Sequence, residues 1–214
     1  MSRGRLITFE GTEGGGKTTQ ITLLAERLRQ SGKAVRALRE PGGTPIGEEI
    51  RHTLKHSSSN EAMAAETELL LMNASRAQLV REVIRPALKA GEFVLCDRFY
   101  HSTIAYQAFG RGLDLSVVQA MIDFTVGETR PDLTVLLHVP VAVSEKRRES
   151  RQAGATPERD RFEQSSREFF ERVENGFLTL AKKDPARIKL IDATASREEV
   201  QAAIWAQVAP LLAG

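Results

Sequence analysis

The chain has 214 residues, of which 41% are hydrophobic and 27% charged, as expected of one globular domain that buries a full core. Its 30 basic and 28 acidic residues leave a formal charge of +2, which argues against a general nucleic-acid or membrane-surface binder. Cys96 is the one cysteine and no apolar run approaches the ~18 residues of a membrane span, so we expect a cytoplasmic protein with a single domain, residues 1–214.

Short apolar runs alternate with longer helical patterns along the chain. Five runs bounded by turn residues or charges predict buried strands at 5–10, 34–39, 93–97, 133–139 and 187–192. The segments between them predict helices at 16–31, 45–56, 61–90, 115–126, 141–152, 162–183 and 196–210. Strands that alternate with helices indicate an α/β fold, a five-stranded parallel sheet with helices on both faces.

The first strand leads into the stretch FEGTEGGGKTTQ (9–20), in which residues 11–18 fit the phosphate-loop pattern G-x-x-x-x-G-K-[ST]. In such a loop, glycines let backbone N–H groups surround a polyphosphate, while Lys17 reaches the β- and γ-phosphates and Thr18 ligates Mg²⁺. We expect ATP to be bound by Gly11, Thr12, Gly14, Gly15, Gly16, Lys17, Thr18 and Thr19. The alternative is a degenerate loop. Glu13, an anion inside an anion-binding loop, needs a separate explanation.

The third strand ends in a second candidate site. The run EFVLCD (92–97) terminates in Asp97, which is followed directly by Arg98. Ligands of open α/β sheets bind at the carboxyl ends of the strands, so Asp97 should face the same crevice as the phosphate loop. We expect Asp97 to hold Mg²⁺ together with Thr18, and Arg98 to meet a phosphate. The alternative is a capping aspartate beside a surface arginine.

An arginine-rich segment, EKRRESRQAGATPERDR (145–161), follows the fourth strand and predicts a lid with a mobile centre. Phosphoryl transfer depends on neutralising developing charge, which an arginine on a closing element supplies. The alternative is a solvated helix end of mixed charge. An Asn-Lys-x-Asp stretch for guanine is absent from the sequence, and the chain has little room for the modules of a motor, so a small-molecule kinase is favoured.

Taken together, the motifs make this sequence resemble bacterial thymidylate kinases from Phe9 to about Ala195. The matching blocks are FEGTEGGGKTTQ, REPGGT (39–44), SRAQLV (75–80), DRFYHSTIAYQ (97–107), RPDLT (130–134), DRFE (160–163) and IDAT (191–194). The resemblance implies the phosphate-loop nucleoside monophosphate kinase fold, phosphorylation of dTMP by ATP with Mg²⁺, and a homodimer. Two alternatives stay open: another nucleoside monophosphate kinase, and a nucleotide-dependent switch or binding module without transfer.

The resemblance also implies which residues bind the sugar and phosphate of dTMP. Glu13 would accept a hydrogen bond from the deoxyribose 3′-hydroxyl, which would explain an anion in this loop. Arg98 would grip the dTMP phosphate, with help from Arg51. Glu40 would organise the crevice after the second strand.

For the base, the resemblance implies that Arg76 hydrogen-bonds thymine and that Thr103 and Gln107 make further polar contacts. Tyr106 would pack where a ribose 2′-hydroxyl would project and so disfavour ribonucleotides. The sequence departs from the family at Met72, one helical turn before Arg76, where the family usually has a phenylalanine that stacks on thymine. A thioether can lie against a ring as well.

On the donor side, Gly14 and the basic lid resemble the Escherichia-like pattern of the family, in which lid arginines rather than a loop arginine meet the charge of the transition state. Arg151 is the first candidate and Arg147 the second, beside Lys17 and Arg98 as the other catalytic residues. Asp192 and Ala193, after the last strand, resemble the loop against which adenine rests.

Overall fold

The computed structural model of the chain describes residues 3–57, 62–152, 161–162 and 165–212, without the side chains of residues 148, 151 and 152. Five parallel strands form one sheet in the order β2-β3-β1-β4-β5. The strands are β1 Arg5–Glu10, β2 Val35–Arg39, β3 Phe93–Asp97, β4 Leu133–His138 and β5 Ile188–Asp192. The five predicted strands are therefore confirmed, with ends that differ by one residue at most. The expected burial was wrong for β2, which lies at the edge of the sheet and has no buried residue.

Helices connect the strands in every crossover. The α-helices are α1 Lys17–Gln30, α2 Pro45–Lys55, α3 Ala65–Leu79, α4 Arg85–Lys89, α5 Tyr100–Thr103, α6 Leu115–Val126, α7 Val141–Gln152, α8 Arg167–Lys183 and α9 Arg197–Val208. Two π-helical segments, Val80–Ile84 and Ile104–Gly110, continue α3 and α5, and a 3₁₀ turn, Ala209–Leu212, continues α9. No helix in the described ranges combines the length and apolar character needed to cross a bilayer.

Side-chain caps set where several helices begin. Thr44 caps α2 by accepting from the N–H of Gly47, and Pro45 occupies the first turn, where its missing N–H costs no hydrogen bond. Asp114 caps α6 in the same way, and Ser196 begins α9 with a reciprocal capping box to Glu199. These local signals agree with the predicted boundaries to within about one residue.

Two predicted helical segments were wrong in detail, and one helical stretch was missed. The segment 61–90 is not one α-helix: its described part begins at Ala65, and its ladder passes through the π-helical segment just before Pro86, which has no N–H to donate. The segment 162–183 begins only at Arg167, after the Ser166 cap. The helical stretch 100–110 was not predicted at all.

The core lies on both faces of the sheet because side chains alternate along each strand. Ile7 and Phe9 point to one face, where they pack with α1 and α9, whereas Leu6 points to the other, where it packs with α3, α4 and α6. A third apolar cluster joins α8 to the segment after α5. Helices on both faces confirm the predicted α/β architecture. Because the strands are parallel, their carboxyl ends all lie at one edge of the sheet.

Candidate active site

The phosphate loop leaves the central strand, where Phe9 pairs with Asp97 of β3. At Gly11 the backbone has φ 125°, and a Cβ atom would lie 2.2 Å from the carbonyl oxygen of Leu137, so only glycine fits. Lys17 Nζ donates to the carbonyl oxygens of Gly11 and Thr12, at 3.1 and 2.9 Å. Burial lowers the pKa of this lysine to about 8, which leaves it mostly protonated at neutral pH, and a bound phosphate would raise the pKa again. The loop thus presents a buried cation to any anion inside it.

Thr18 and Asp97 meet as the sequence predicts. The hydroxyl of Thr18 donates to Asp97 Oδ2 over 3.1 Å. In the described ranges, no three His, Cys, Asp or Glu side chains gather as a metal site. One hydroxyl and one carboxylate nevertheless fit Mg²⁺, which keeps several waters and takes its remaining ligands from substrate phosphates.

Arg98 follows Asp97 in a left-handed conformation with φ 68°. Its guanidinium donates to the carbonyl oxygen of Gly11, to Ser102 Oγ and to the Tyr106 hydroxyl, at 3.1, 3.1 and 3.2 Å. Burial lowers the pKa of Arg98, but Tyr106 and the neighbouring carboxylates raise it by more, so it remains a cation. The fixed position of this charge beside the loop suits it to a phosphate.

Two adjoining pockets open at this edge of the sheet. The first, the loop pocket, is lined by Glu13, Gly14, Gly16, Lys17, Thr18, Thr19, Arg39, Glu40, Arg51, Lys55, Asp97, Arg98, Val143, Lys146, Arg147 and Ser150. The second, the inner pocket, is lined by Glu13, Glu40, Pro41, Lys55, Met72, Arg76, Arg98, Ser102, Thr103, Tyr106, Gln107 and Phe162. Because both share the Arg98 guanidinium, anionic groups of two ligands can meet there.

Glu13 lies between the pockets and retains an acceptor for a ligand. Its Oε1 is 4.0 Å from the Arg98 guanidinium, whereas Oε2 is buried without a hydrogen-bond partner among the described residues. The Ser144 hydroxyl donates to the backbone carbonyl of Glu13 over 2.6 Å and fixes the loop. A buried acceptor without a partner is rare in proteins, so this oxygen suits a ligand hydroxyl.

A buried ion pair forms one wall of the inner pocket. Arg76, only 2% exposed, donates to Glu40 Oε2 over 2.8 Å and to the carbonyl oxygen of Phe99 over 3.3 Å. The Glu40–Pro41 peptide bond is cis, and the second carboxylate oxygen of Glu40 has no partner among the described residues. Burial raises the pKa of Glu40 in spite of Arg76. Arg51 lines the loop pocket instead and donates to the carbonyl oxygen of Pro41 over 2.9 Å.

The remaining wall of the inner pocket combines apolar surface with two polar groups. Met72, Tyr106 and Phe162 line this wall, and the Tyr106 ring meets Phe162 edge to face. Thr103 is almost fully buried, and Gln107 Nε2 donates to Glu68 over 2.6 Å. The structure thus brings the predicted acceptor residues together, with Arg51 in the adjoining loop pocket.

The donor side involves the helix that begins the predicted lid. From α7, Arg147 donates to the carbonyl oxygens of Gly14 and Ala193, at 3.1 and 3.0 Å. Asp192 accepts from the N–H of Thr194 and so shapes the loop after β5. Arg147 thereby joins the phosphate loop to the predicted adenine loop. The Arg151 side chain and residues 153–160 lie outside the described part of the chain.

The sequence did not identify three residues of this region. Lys55 lines both pockets, and its spacing of four residues from Arg51 on α2 is a signal that could have found it. Phe162 stood in a matched block without a role. Glu10 has no signal in the sequence, yet it is buried and accepts from the Phe99 N–H and the Ser102 hydroxyl, at 2.9 and 2.5 Å, behind Arg98.

Comparison with known proteins gives a consistent result. Residues 9–204 match the family model described as thymidylate kinase. A thymidylate kinase of Syntrophotalea carbinolica is 50% identical over 200 residues, which cover 93% of this chain and 92% of that protein. One from Deinococcus radiodurans is 47% identical over 210 residues, covering 97% and 98%. The crystal structure of thymidylate kinase from Ehrlichia chaffeensis, 32% identical, superposes with a TM-score of 0.76 over 96% of this chain and 99% of that one. The chain belongs to the thymidylate kinase family and is therefore a phosphotransferase.

Proposed function

We propose that this kinase transfers the γ-phosphoryl group of ATP to dTMP in the presence of Mg²⁺, giving ADP and the dTDP used for dTTP synthesis. The observation that carries the proposal is the pair of adjoining pockets that share Arg98 and Glu13. One pocket is built on a phosphate loop, and the other combines polar groups with apolar walls, as a pocket for a nucleoside monophosphate requires.

In the transfer step, an oxygen of the dTMP phosphate attacks the γ-phosphorus of ATP. The bond from that phosphorus to the β–γ bridging oxygen breaks, and ADP takes the electron pair. Lys17 and the loop N–H groups hold the β- and γ-phosphates, while Arg98 aligns the acceptor phosphate. Thr18 and Asp97 would hold Mg²⁺, which would neutralise phosphate charge. Arg151 or Arg147 of the lid would meet the charge that develops on the transferred group.

We assign the selection of dTMP to the inner pocket. The unpaired Oε2 of Glu13 would accept from the 3′-hydroxyl, and the Tyr106 ring would occupy the space of a 2′-hydroxyl. Arg76, Thr103 and Gln107 would contact the base. Asp192 and Ala193 would border adenine in the other nucleotide.

We further propose that the enzyme is a cytoplasmic homodimer. Large apolar side chains are exposed on three neighbouring helices, with α3 packed against both α2 and α6. The side chains, which we call the apolar patch, are Ile46, Leu70, Val117 and Phe124. An exposed apolar surface of this kind favours association with a second copy. The single buried cysteine and the two proposed substrates suit the cytoplasm.

An ADP-release assay with Mg·ATP tests the function. The acceptors would be dTMP, dUMP, UMP, dCMP, dGMP and AMP, with the products identified by chromatography. Strong turnover of dTMP, weak turnover of dUMP and little with the others is the expected result. Preference for another monophosphate would contradict the assignment of the pocket, and ATP hydrolysis without any phosphorylated acceptor would contradict the transfer itself.

A further inference from the structure

Glu68 is a completely buried carboxylate on α3, behind the inner pocket and outside its lining. It contacts three side chains from other elements. Gln107 Nε2 donates to its Oε1 over 2.6 Å, and Arg111 donates to both of its oxygens, at 3.3 and 3.1 Å. Arg161, at the end of the lid segment, donates to Oε2 as well. All these contacts give the carboxylate the role of acceptor.

The carboxylate determines which way the Gln107 amide faces. A carboxylate held between two guanidinium groups accepts hydrogen bonds and has no proton to donate. The Gln107 amide must therefore turn its NH₂ group toward the Glu68 carboxylate. The oxygen of a planar amide then points away from Glu68. Among the described residues, none donates to Gln107 Oε1, and Gln107 lines the inner pocket. The Gln107 amide therefore presents its oxygen, a hydrogen-bond acceptor, to the pocket.

We propose that Glu68 is a positioning residue for base selection, because it keeps the Gln107 amide oxygen facing the base. This inference rests on the proposed function of the inner pocket. The imide N3–H of thymine donates a hydrogen bond, which a fixed amide oxygen accepts. N3 of cytosine carries a lone pair, which the same oxygen repels, so a cytosine nucleotide is excluded by unpaired and repulsive polar atoms.

Arg111 and Arg161 restrict the carboxylate in turn. The Arg111 guanidinium lies 4.5 Å above the centre of the Phe169 ring of α8, which limits its own movement. Arg161 precedes Phe162, a residue of the pocket wall. Glu68 is thus held from two sides, and a rotation that would release Gln107 would leave buried charges unpaired.

The test is the Glu68→Gln variant, in which the new amide can both donate and accept, so that Gln107 is free to turn over. The dissociation constants of dTMP, dCMP and N3-methyl-dTMP would be measured by calorimetry without ATP. We expect the preference for dTMP over dCMP, and over the N3-methyl compound, to fall about tenfold or more through weaker dTMP binding, while the KM of ATP changes less than about twofold. An unchanged preference in the folded variant overturns the inference.

Asp132→Asn is the matched control. Asp132 also accepts from an arginine, Arg5, and from the Leu6 N–H, but at the opposite edge of the sheet. The Asp132→Asn substitution should lower thermal stability and leave the preference for dTMP over dCMP unchanged. If Glu68→Gln does not fold, Glu68→Asp replaces it, since the aspartate keeps the charge beside both arginines but withdraws it from Gln107. The same fall in preference is expected, and native selectivity in this variant overturns the inference.

The two proposals fail in distinguishable ways. Binding is measured without ATP, so the ratio of dissociation constants is obtained even from a protein that transfers no phosphoryl group. Absence of dTDP in the ADP-release assay contradicts the proposed function alone. A native protein that binds dTMP no better than dCMP overturns the role of Glu68.

Discussion

Glu10 and Glu13 are two carboxylates three residues apart whose surroundings give them different chemistry. Glu13 keeps one oxygen without a partner beside both pockets. Both oxygens of Glu10 are already used, by the Phe99 N–H and the Ser102 hydroxyl, and Ser102 in turn accepts from Arg98. Glu13 is therefore suited to contact a ligand, whereas Glu10 supports the turn that positions Arg98.

Glu10 should make stability depend on pH. Burial raises its pKa from 4.5 to about 7, against the opposing effects of Ser102, Arg98 and Lys17. Between these values the native protein keeps a proton that the unfolded chain has released. The free energy of unfolding should therefore fall as the pH rises through this window, by up to about 3 kcal/mol from this group.

Urea denaturation of the nucleotide-free protein at several pH values from 4.5 to 7 measures the effect. The Glu10→Gln variant has no carboxyl group at this position, so the native protein should lose stability relative to the variant as the pH rises. Parallel stability curves for the two proteins would contradict the assignment.

Met72 is the position where the sequence departs from the family it resembles. The side chain is half-buried and lines the inner pocket beside Arg76. We expect Met72→Phe to stay active and to bind dTMP as tightly as the native enzyme or more tightly, since a ring replaces a thioether contact of only ~0.3–1.5 kcal/mol. Calorimetry with dTMP measures this, with Met121→Phe as the control, because it makes the same exchange at a core-packed position of α6 that lines neither pocket. A large loss of affinity at Met72→Phe alone would show that the base lies elsewhere.

At the scale of elements, strands and helices could be predicted where apolar and polar residues alternate or separate clearly along the sequence. The strands were found because each is a short apolar run that ends in a charged or polar residue. The helical stretch 100–110 was missed because it is buried almost all round, so its sequence, YHSTIAYQAFG, has no polar face to give a period. The segment 61–90 was predicted as one helix although it contains Pro86, and the structure shows that the ladder adjusts before this proline through a π-helical segment.

The site was predictable to the same extent. The phosphate loop, Asp97 and Arg98 follow from local pattern and strand ends, and the inner pocket follows from resemblance. Glu10 and Glu68 could not be found, because their roles come from contacts between residues 89 and 39 positions apart in the chain. Such pairings depend on tertiary packing.

Helix α7 supplies a prediction about the donor side. Arg147 joins Gly14 of the phosphate loop to Ala193 of the loop after β5. The Arg147→Ala variant loses one or two charged hydrogen bonds, so its ATP site should be less firmly held and its KM for ATP should rise by about tenfold. Its KM for dTMP should change less than about twofold. A fall in kcat of several orders of magnitude with unchanged KM values would instead make Arg147 the arginine that meets the transition state.

Steady-state kinetics with each substrate varied in turn separates these outcomes. Arg167→Ala is the control, because it removes the same charge from α8, where Arg167 pairs with Glu145 and Glu171 outside the pockets. A matching rise in the KM of ATP for both variants would show a general effect of charge.

At the scale of the whole molecule, helices α2 and α3 contribute to two surfaces at once. They supply Arg51, Met72 and Arg76 to the pockets, and Ile46 and Leu70 to the apolar patch. A second copy packed on the patch would hold these helices from outside. Association would then support the inner pocket without adding any residue to it.

Phe124→Glu tests this arrangement. Phe124 is 89% exposed on α6, and a charge at this position would be desolvated in any interface built on the patch. In light scattering the variant should have the mass of one chain, whereas the native protein should have the mass of two. The KM of the variant for dTMP should rise by more than its KM for ATP. Leu190→Glu is the matched control, since Leu190 is 51% exposed on β5, outside the patch, and its variant should keep the native mass. A monomeric native protein would contradict association through this face. A Phe124→Glu variant that remains dimeric would contradict it as well, because an interface that buries the patch could not accept an unpaired carboxylate in place of the Phe124 ring.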